Sequence, residues 1–169
     1  RRKTPSKCTI NHEVVMIKHM FNKAVEWGLL QVNPLRTVKL FRLPAFRPRY
    51  VTVEELEKIK RHACPELWDI VIFFVSTGMR PKEIFSLKWS DLDWPQRMLT
   101  VQNPKNRYPR IIPLNDHAYN LLLKRNQNRT SDFVFMGRYG GKRETVRTAF
   151  KAACRRAGIE GLRFYDLRK

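Results

Sequence analysis

The pattern of apolar positions along the chain predicts a protein that is mainly helical. From Ile10 to Leu30, apolar side chains recur every three or four residues, which predicts one amphipathic helix. Thr52 and Glu55 have the spacing of a capping box, so a second helix is expected to begin there and to run to about His62. The stretch from Trp68 to Ser76 is almost wholly apolar, which predicts a buried helix.

The second half of the chain adds a small sheet to these helices. Pro81 is expected to begin a helix, because the first helical turn needs no proline N–H. Two runs of β-type residues separated by turn residues predict a hairpin with a basic tip. The predicted fold class is therefore α+β, mainly α, with a small antiparallel sheet. The remaining expected elements are strands at Met98–Gln102, Arg110–Leu114 and Phe133–Met136, a helix from Asp116 as its cap to Leu123, and a basic helix from about Arg143 to Ala157 that stops at Gly158.

The segment LPAFRPRY, residues 43–50, predicts a linker. Its two prolines fix the backbone without helix or strand pairing. The expected organisation is a first domain over residues 1–43, a linker over 44–50 and a second domain over 51–169.

Charge is the feature that points to a partner. The chain has 34 Lys and Arg against 15 Asp and Glu, which gives a net charge of +19. A balance of this kind is most readily understood if the partner is a polyanion. Arginine outnumbers lysine, and the forked guanidinium suits phosphate, so the composition favours nucleic acid. The alternative is a small basic protein with solvated lysine side chains.

Cysteine usage and the chain ends limit the protein class. Cys8, Cys64 and Cys154 are odd in number and widely spaced, which disfavours disulfides and a zinc site and predicts a cytoplasmic location. No apolar stretch is long enough for a membrane span. The chain begins without Met and without a signal peptide, so both ends are expected to be cuts.

Three segments carry candidate chemistry, and each has a simpler explanation. In STGMRPKEI, residues 76–84, Glu83 is placed to hold Arg80 while the other guanidinium donors face outward. An ordinary surface ion pair is the alternative. Lys105 lies at the predicted hairpin tip and is suited to proton transfer, or is a solvated turn lysine. Tyr165 and Arg168 form a polar pair near the end of the chain, or simply the start of a helix.

Together, the three segments resemble the catalytic domain of the tyrosine recombinases, the phage integrase family. The family motif T-G-x-R-x-x-E-[IL]-x-x-L-x-W is matched at every defined position from Thr77 to Trp89. Lys105 lies eight residues before Pro113, as the family's hairpin lysine lies before its [VI]-P-L ending. The H-x-L-R motif is matched by residues 165–168, with tyrosine in place of histidine. Residues 10–42 similarly resemble the end of the helical core-binding domain that precedes the catalytic domain.

The resemblance implies DNA strand exchange through a 3′-phosphotyrosyl intermediate, with no cofactor and no metal. Arg80 and Arg168 would stabilise negative charge on the phosphate, Glu83 would orient Arg80, and Lys105 would protonate the leaving oxygen. Tyr165 would be a hydrogen-bond donor to the phosphate. In the family the nucleophilic tyrosine follows the second arginine. Five tyrosines stand at the wrong place for it, so the nucleophile is expected to be absent from this chain: Tyr50, Tyr108, Tyr119, Tyr139 and Tyr165.

The expected partner is double-stranded DNA. The full-length family member would act as a homo-tetramer on DNA, and this fragment is expected to be a monomer. The alternative functions are a non-catalytic DNA-binding regulator with a recombinase-like fold and a general RNA-binding protein. Candidate DNA contacts are two linker arginines and one face of the basic helix, namely Arg47, Arg49, Arg143, Arg147, Lys151 and Arg155.

Overall fold

The computed structural model describes residues 4–44, 49–102 and 108–168. The chain divides into two compact units, Arg1–Arg47 and Pro48–Lys169. No helix in the described ranges is both long enough and apolar enough to cross a bilayer. The predicted fold class, mainly helical with a small antiparallel sheet, is confirmed.

The first unit contains one long helix, α1, over Lys7–Glu26. The Ser6 side chain accepts a hydrogen bond from the Thr9 amide at 3.1 Å and so caps its start. Buried Asn11 binds the backbone of Phe41 twice, through its amide nitrogen and its oxygen, each at 2.8 Å. These bonds hold the extended segment after the helix against its first turns. The predicted helix therefore exists, and both its ends lie a few residues earlier than expected.

The second unit begins with three helices. Helix α2 spans Val53–His62 and has the predicted capping box, in which Thr52 and Glu55 each accept the other's backbone N–H. Helix α3 spans Pro65–Thr77 and is the central helix of the core. Helix α4 spans Pro81–Ser86 and begins at proline as predicted.

Among the described residues, the sheet has three antiparallel strands in the order β1–β2–β3. Strand β1 is Leu92–Asp93, β2 is Met98–Val101 and β3 is Arg110–Pro113. The β2–β3 pairing runs from Met98 opposite Pro113 to Val101 opposite Arg110, so the two strands of the predicted hairpin are confirmed. Its tip, with Lys105, lies outside the described residues.

The second unit also contains further α-helices and short 3₁₀ helices. Helix α5 spans Asp116–Asn126, and α6 spans Arg147–Arg156. Two 3₁₀ helices lie at Trp89–Asp91 and Phe164–Arg168.

Two helix starts and one strand in this part of the chain were predicted wrongly. The cap of α5 is Asn115, whose Oδ1 accepts the Ala118 amide at 2.9 Å, and Asp116 is the first helical residue. Residues 133–136 form no strand, since they make only isolated bridges at Phe133 and Met136. The basic helix begins at Arg147. It does not begin at Arg143. In such a helix the Arg147 N–H would bond the Arg143 carbonyl, but it donates instead to the Thr145 hydroxyl at 3.1 Å.

Aromatic contacts join the C-terminal 3₁₀ helix to the core. The Phe164 ring lies 4.5 Å from the ring of Phe74 on α3 and 5.3 Å from that of Phe150 on α6, centroid to centroid. The ring of the preceding residue on α3, Phe73, lies 5.1 Å from that of Phe135, centroid to centroid. These rings fix the end of the described chain to the most deeply buried helix.

The three cysteines are expected to differ sharply in reactivity. Cys8 and Cys64 are exposed, whereas Cys154 is buried, and burial raises the pKa of its thiol. Because the thiolate is the reacting form, a thiol reagent at pH 8 should label two cysteines rapidly and the third slowly. In denaturant, all three cysteines should be labelled at the same fast rate. Three equally fast sites in the native protein would contradict the buried position of Cys154 on α6.

Candidate active site

A glycine turn between α3 and α4 organises the site. Gly78 ends α3 with φ of 58°, a left-handed conformation that glycine adopts without steric cost, and its N–H bonds the Phe74 carbonyl at 3.0 Å. The chain then turns so that Arg80 stands immediately before α4. The turn therefore delivers this arginine from the edge of the core.

Glu83 holds Arg80 at both its backbone and its side chain. Glu83 Oε1 accepts from Arg80 Nη1 at 2.9 Å, and Oε2 accepts the Arg80 N–H at 2.7 Å. The Glu83 side chain is only 7% exposed, whereas that of Arg80 is 30% exposed. The hydrogen bond that Arg80 donates to Glu83, the negative charge of Glu83 and the nearby Tyr165 raise the pKa of Arg80. The guanidinium is thus fixed in direction, with one edge on Glu83 and other donors available.

Arg110, which the sequence analysis did not single out, shares the same carboxylate. Its Nη2 donates to Glu83 Oε2 at 2.7 Å. Arg110 is the first residue of β3 and pairs with Val101 across the hairpin. The sequence places Arg110 at the start of a predicted strand but does not indicate its contact with Glu83. The two residues are 27 positions apart, so no local pattern connects them.

The 3₁₀ helix Phe164–Arg168 brings the second arginine to the glycine turn. Arg168 Nε donates to the Gly78 carbonyl at 2.6 Å. Asp166 accepts a hydrogen bond from the Arg163 amide at 3.0 Å, and the neighbouring residues Asp166 and Leu167 are both buried against the core. Tyr165 is half-exposed and close enough to Arg80 to influence its pKa.

The structure thus brings together Arg80, Glu83, Tyr165 and Arg168 around one turn. Two guanidiniums and a phenol hydroxyl therefore lie near the same turn, and each is a hydrogen-bond donor suited to an anion. Forked cationic donors of this kind suit the oxygens of a phosphate group. No cluster of three or more His, Cys, Asp or Glu that could bind a metal occurs in the described part of the chain.

Two candidate residues lie outside the described residues. Lys105 belongs to the hairpin tip and Arg47 to the predicted linker. Both stay predictions.

The basic residues predicted to contact DNA separate into two groups. Arg147, Lys151 and Arg155 are exposed on one face of α6, and no carboxylate of the described chain forms an ion pair with them. Arg143 is not on the helix: it precedes α6, donates through Nε to the Met136 carbonyl at 3.1 Å and is ion-paired with Glu66. The alignment of Arg143 with the other three was therefore wrong.

Arg49 already has partners within the protein. Its Nη2 donates to Glu55 Oε1 at 2.8 Å and to the Glu160 carbonyl at 3.0 Å. These contacts join the residues before α2 to the loop after α6.

The family model described as the phage integrase family matches residues 49–169. The chain belongs to this family. The resemblance indicated by the three sequence segments is thereby confirmed.

Two curated relatives illustrate the similarity. A shufflon-specific DNA recombinase of Escherichia coli is 29% identical over 167 residues, which are 95% of this chain and 41% of that protein. The integrase of Salmonella phage P22 is 30% identical over 158 residues, covering 85% of this chain and 40% of the relative. The chain therefore spans about two fifths of the length of these relatives.

Solved structures share the fold. A lambda integrase (75–356) dimer bound to a COC′ core site aligns with a TM-score of 0.80 at 20% identity, over 96% of this chain and 64% of that one. The Tn1549 transposon integrase (aa 82–397) in complex with circular intermediate DNA aligns with a TM-score of 0.79 at 18% identity, over 96% and 64%. A lambda integrase tetramer bound to a Holliday junction also aligns, with a TM-score of 0.80 at 20% identity, over 96% and 52%.

Proposed function

We propose that this chain is the DNA-binding and phosphate-binding part of a tyrosine site-specific recombinase. The observation that carries the proposal is the convergence of Arg80 and Arg168 on the Gly78 turn, with Arg80 oriented by Glu83. Structural neighbours that carry the same fold are integrases bound to DNA. The partner proposed for this chain is double-stranded DNA, with a homo-tetramer as the working form of the full-length protein.

The proposed chemistry is phosphodiester exchange. A tyrosine oxygen attacks the phosphorus, forms a 3′-phosphotyrosyl bond and releases the 5′-hydroxyl, and the reverse step joins a different strand. Arg80 and Arg168 donate to the non-bridging oxygens, where negative charge accumulates in the transition state. Lys105 would give a proton to the leaving 5′-oxygen. Tyr165 would donate a hydrogen bond to the phosphate through its phenol hydroxyl.

The nucleophile of this scheme would follow Arg168 in the family's motif order. None of the five tyrosines of the chain does so. We therefore propose that the 169-residue chain binds duplex DNA and the phosphate to be cut but forms no covalent link with it. The alternative is a non-catalytic regulator with the same fold. The presence of both arginines with their orienting glutamate favours the recombinase.

Salt dependence tests the proposed DNA binding. We expect the affinity for duplex DNA to fall by about a thousandfold or more between 50 and 200 mM salt, since each phosphate contact releases a counterion. Fluorescence anisotropy with labelled duplex measures the affinity, and a denaturing gel of the same samples should show no protein–DNA adduct. A covalent adduct would contradict the absence of a nucleophile. Stronger binding to single-stranded RNA than to duplex DNA would contradict the recombinase proposal.

The exposed face of α6 gives a matched comparison within the same assay. The double variant Arg147→Ala/Arg155→Ala should reduce the slope of log K against log salt by about two, because each phosphate contact contributes about 0.9. The double variant Lys58→Ala/Lys124→Ala removes the same charge from other exposed positions and should change the slope little. Equal slopes for the two variants would show that α6 does not contact phosphate.

A further inference from the structure

The carboxylate that orients Arg80 is shared between two arginines. Glu83 Oε1 accepts from Arg80 Nη1, and Oε2 accepts both the Arg80 amide and Arg110 Nη2. The Glu83 side chain is 7% exposed, whereas those of the two arginines are about one third exposed. The buried member of the cluster is therefore the anion, and the cations face outward from it.

The charges of this cluster matter for anion binding. Arg80 and Glu83 together carry no net charge, so a phosphate approaching the pair meets attraction from the arginine and repulsion from the carboxylate. Arg110 adds one positive charge on the other side of the same carboxylate. With Arg110 in place, Glu83 can hold Arg80 in its orientation without cancelling the charge that Arg80 presents.

The details of the Arg110 contacts do not fit a role in stability alone. Arg110 Nε is buried and has no hydrogen-bond acceptor among the described residues. An unsatisfied buried donor destabilises a fold, and a partly buried ion pair often gives no net stability over apolar residues of the same size. A function for the charge itself explains better why an arginine stands here.

The position of Arg110 in the chain adds a second consequence. It is the first residue of β3, opposite Val101 at the end of β2, and the loop between these strands contains Lys105. A contact from this residue to Glu83 therefore joins the base of the hairpin to the helix that follows Arg80.

We propose that Arg110 is a positioning residue that balances the charge of Glu83, keeps Arg80 directed at the bound phosphate and ties the β2–β3 hairpin to Arg80. The role in phosphate binding rests on the function proposed above. The link from Arg110 through Glu83 to Arg80 does not depend on that function, and it can be tested in the free protein.

Arginine side-chain NMR of the free chain tests the link. The Nε–H signal of Arg80 is identified by its loss in Arg80→Lys. We expect Arg110→Met to shift this signal, and the same substitution in a Glu83→Gln background to leave it where Glu83→Gln alone has put it. Arg97→Met is the matched control, because Arg97 also forms a 2.8 Å ion pair, with Asp116, and should leave the Arg80 signal in place.

Binding to duplex DNA tests the charge balance. Arg110→Met should weaken binding about fivefold or more, and in the Glu83→Gln background by less than about twofold, because residues of one ion-pair network have non-additive effects. An unshifted Arg80 signal in Arg110→Met, with only a lower melting temperature, would overturn the proposal. Equal loss of DNA affinity in both backgrounds would also overturn it, since Arg110 would then contact DNA directly.

If Arg110→Met does not fold, Arg110→Lys retains the charge but loses the forked donor geometry, and a shifted Arg80 signal in that variant supports the proposal while an unshifted one contradicts it. If the chain does not bind duplex DNA at all, the proposed function fails, and the NMR comparison still decides whether Arg110 positions Arg80.

Discussion

The variant Phe74→Ala is expected to lose about 4 kcal/mol of unfolding free energy. Phe74 is completely buried in α3, and its ring packs on that of Phe164. Truncation leaves a cavity lined by helices that cannot close it without moving. Chemical denaturation of the purified chain measures the loss.

The neighbouring position supplies the control. Val75 lies on the same helix but is 40% exposed, so Val75→Ala should change the unfolding free energy by less than about 1 kcal/mol. Phe74→Ala should also weaken DNA binding under conditions where the variant stays folded, because Phe164 places the 3₁₀ helix that ends in Arg168. A stability loss without any change in DNA affinity would show that Arg168 is positioned independently of this ring.

The variant Glu83→Gln is expected to lose about 2–4 kcal/mol of unfolding free energy, because two arginines lose the carboxylate that pairs them. Glutamine retains the size of the side chain but only one acceptor oxygen, so the loss reports on the removed charge together with the hydrogen bonds to the replaced oxygen. The two arginines are partly exposed and can be hydrated after the substitution, which places the expected value below that of a fully buried pair. Urea or guanidinium titration at neutral pH measures it.

Asp116→Asn is the matched control for Glu83→Gln. Asp116 also accepts from an arginine, Arg97, at 2.8 Å, but its side chain is 83% exposed. An exposed ion pair contributes little to stability, so this variant should lose less than about 1 kcal/mol. Similar losses in the two variants would contradict the view that Glu83 is a buried, shared anion.

Phe74→Ala and Glu83→Gln both remove contacts that hold the candidate site in place. Arg80 and Arg168 lie on different segments. Arg80 is held by Glu83, and Arg168 donates to the Gly78 carbonyl. The 3₁₀ helix that carries Arg168 is anchored by the packing of Phe164 on Phe74. The cationic groups are therefore placed before an anion arrives. Such preorganisation is what electrostatic stabilisation of a phosphoryl-transfer transition state requires.

Local patterns in the sequence predicted the elements and the motif residues. The capping box at Thr52, the proline at the start of α4 and the alternation of β2 and β3 each depend on residues a few positions apart. For the same reason the Arg80–Glu83 contact could be expected, since three residues across a helix start bring the two side chains together. The predictions were wrong near Asn115, Phe133 and Thr145. At each place several neighbouring polar or β-type residues could equally have marked the end of an element.

By itself, the sequence determined which functional groups are available: the family motifs, the excess of positive charge and the pairing of Arg80 with Glu83. Tertiary structure alone decided that Arg110 shares Glu83, that Arg168 reaches the Gly78 carbonyl and that Arg143 is held by Glu66 rather than lying with Arg147. Each of these contacts joins residues that are 27 to 90 positions apart. Distances of that kind are set by how helices and strands pack around the core, and no periodicity in the sequence encodes them.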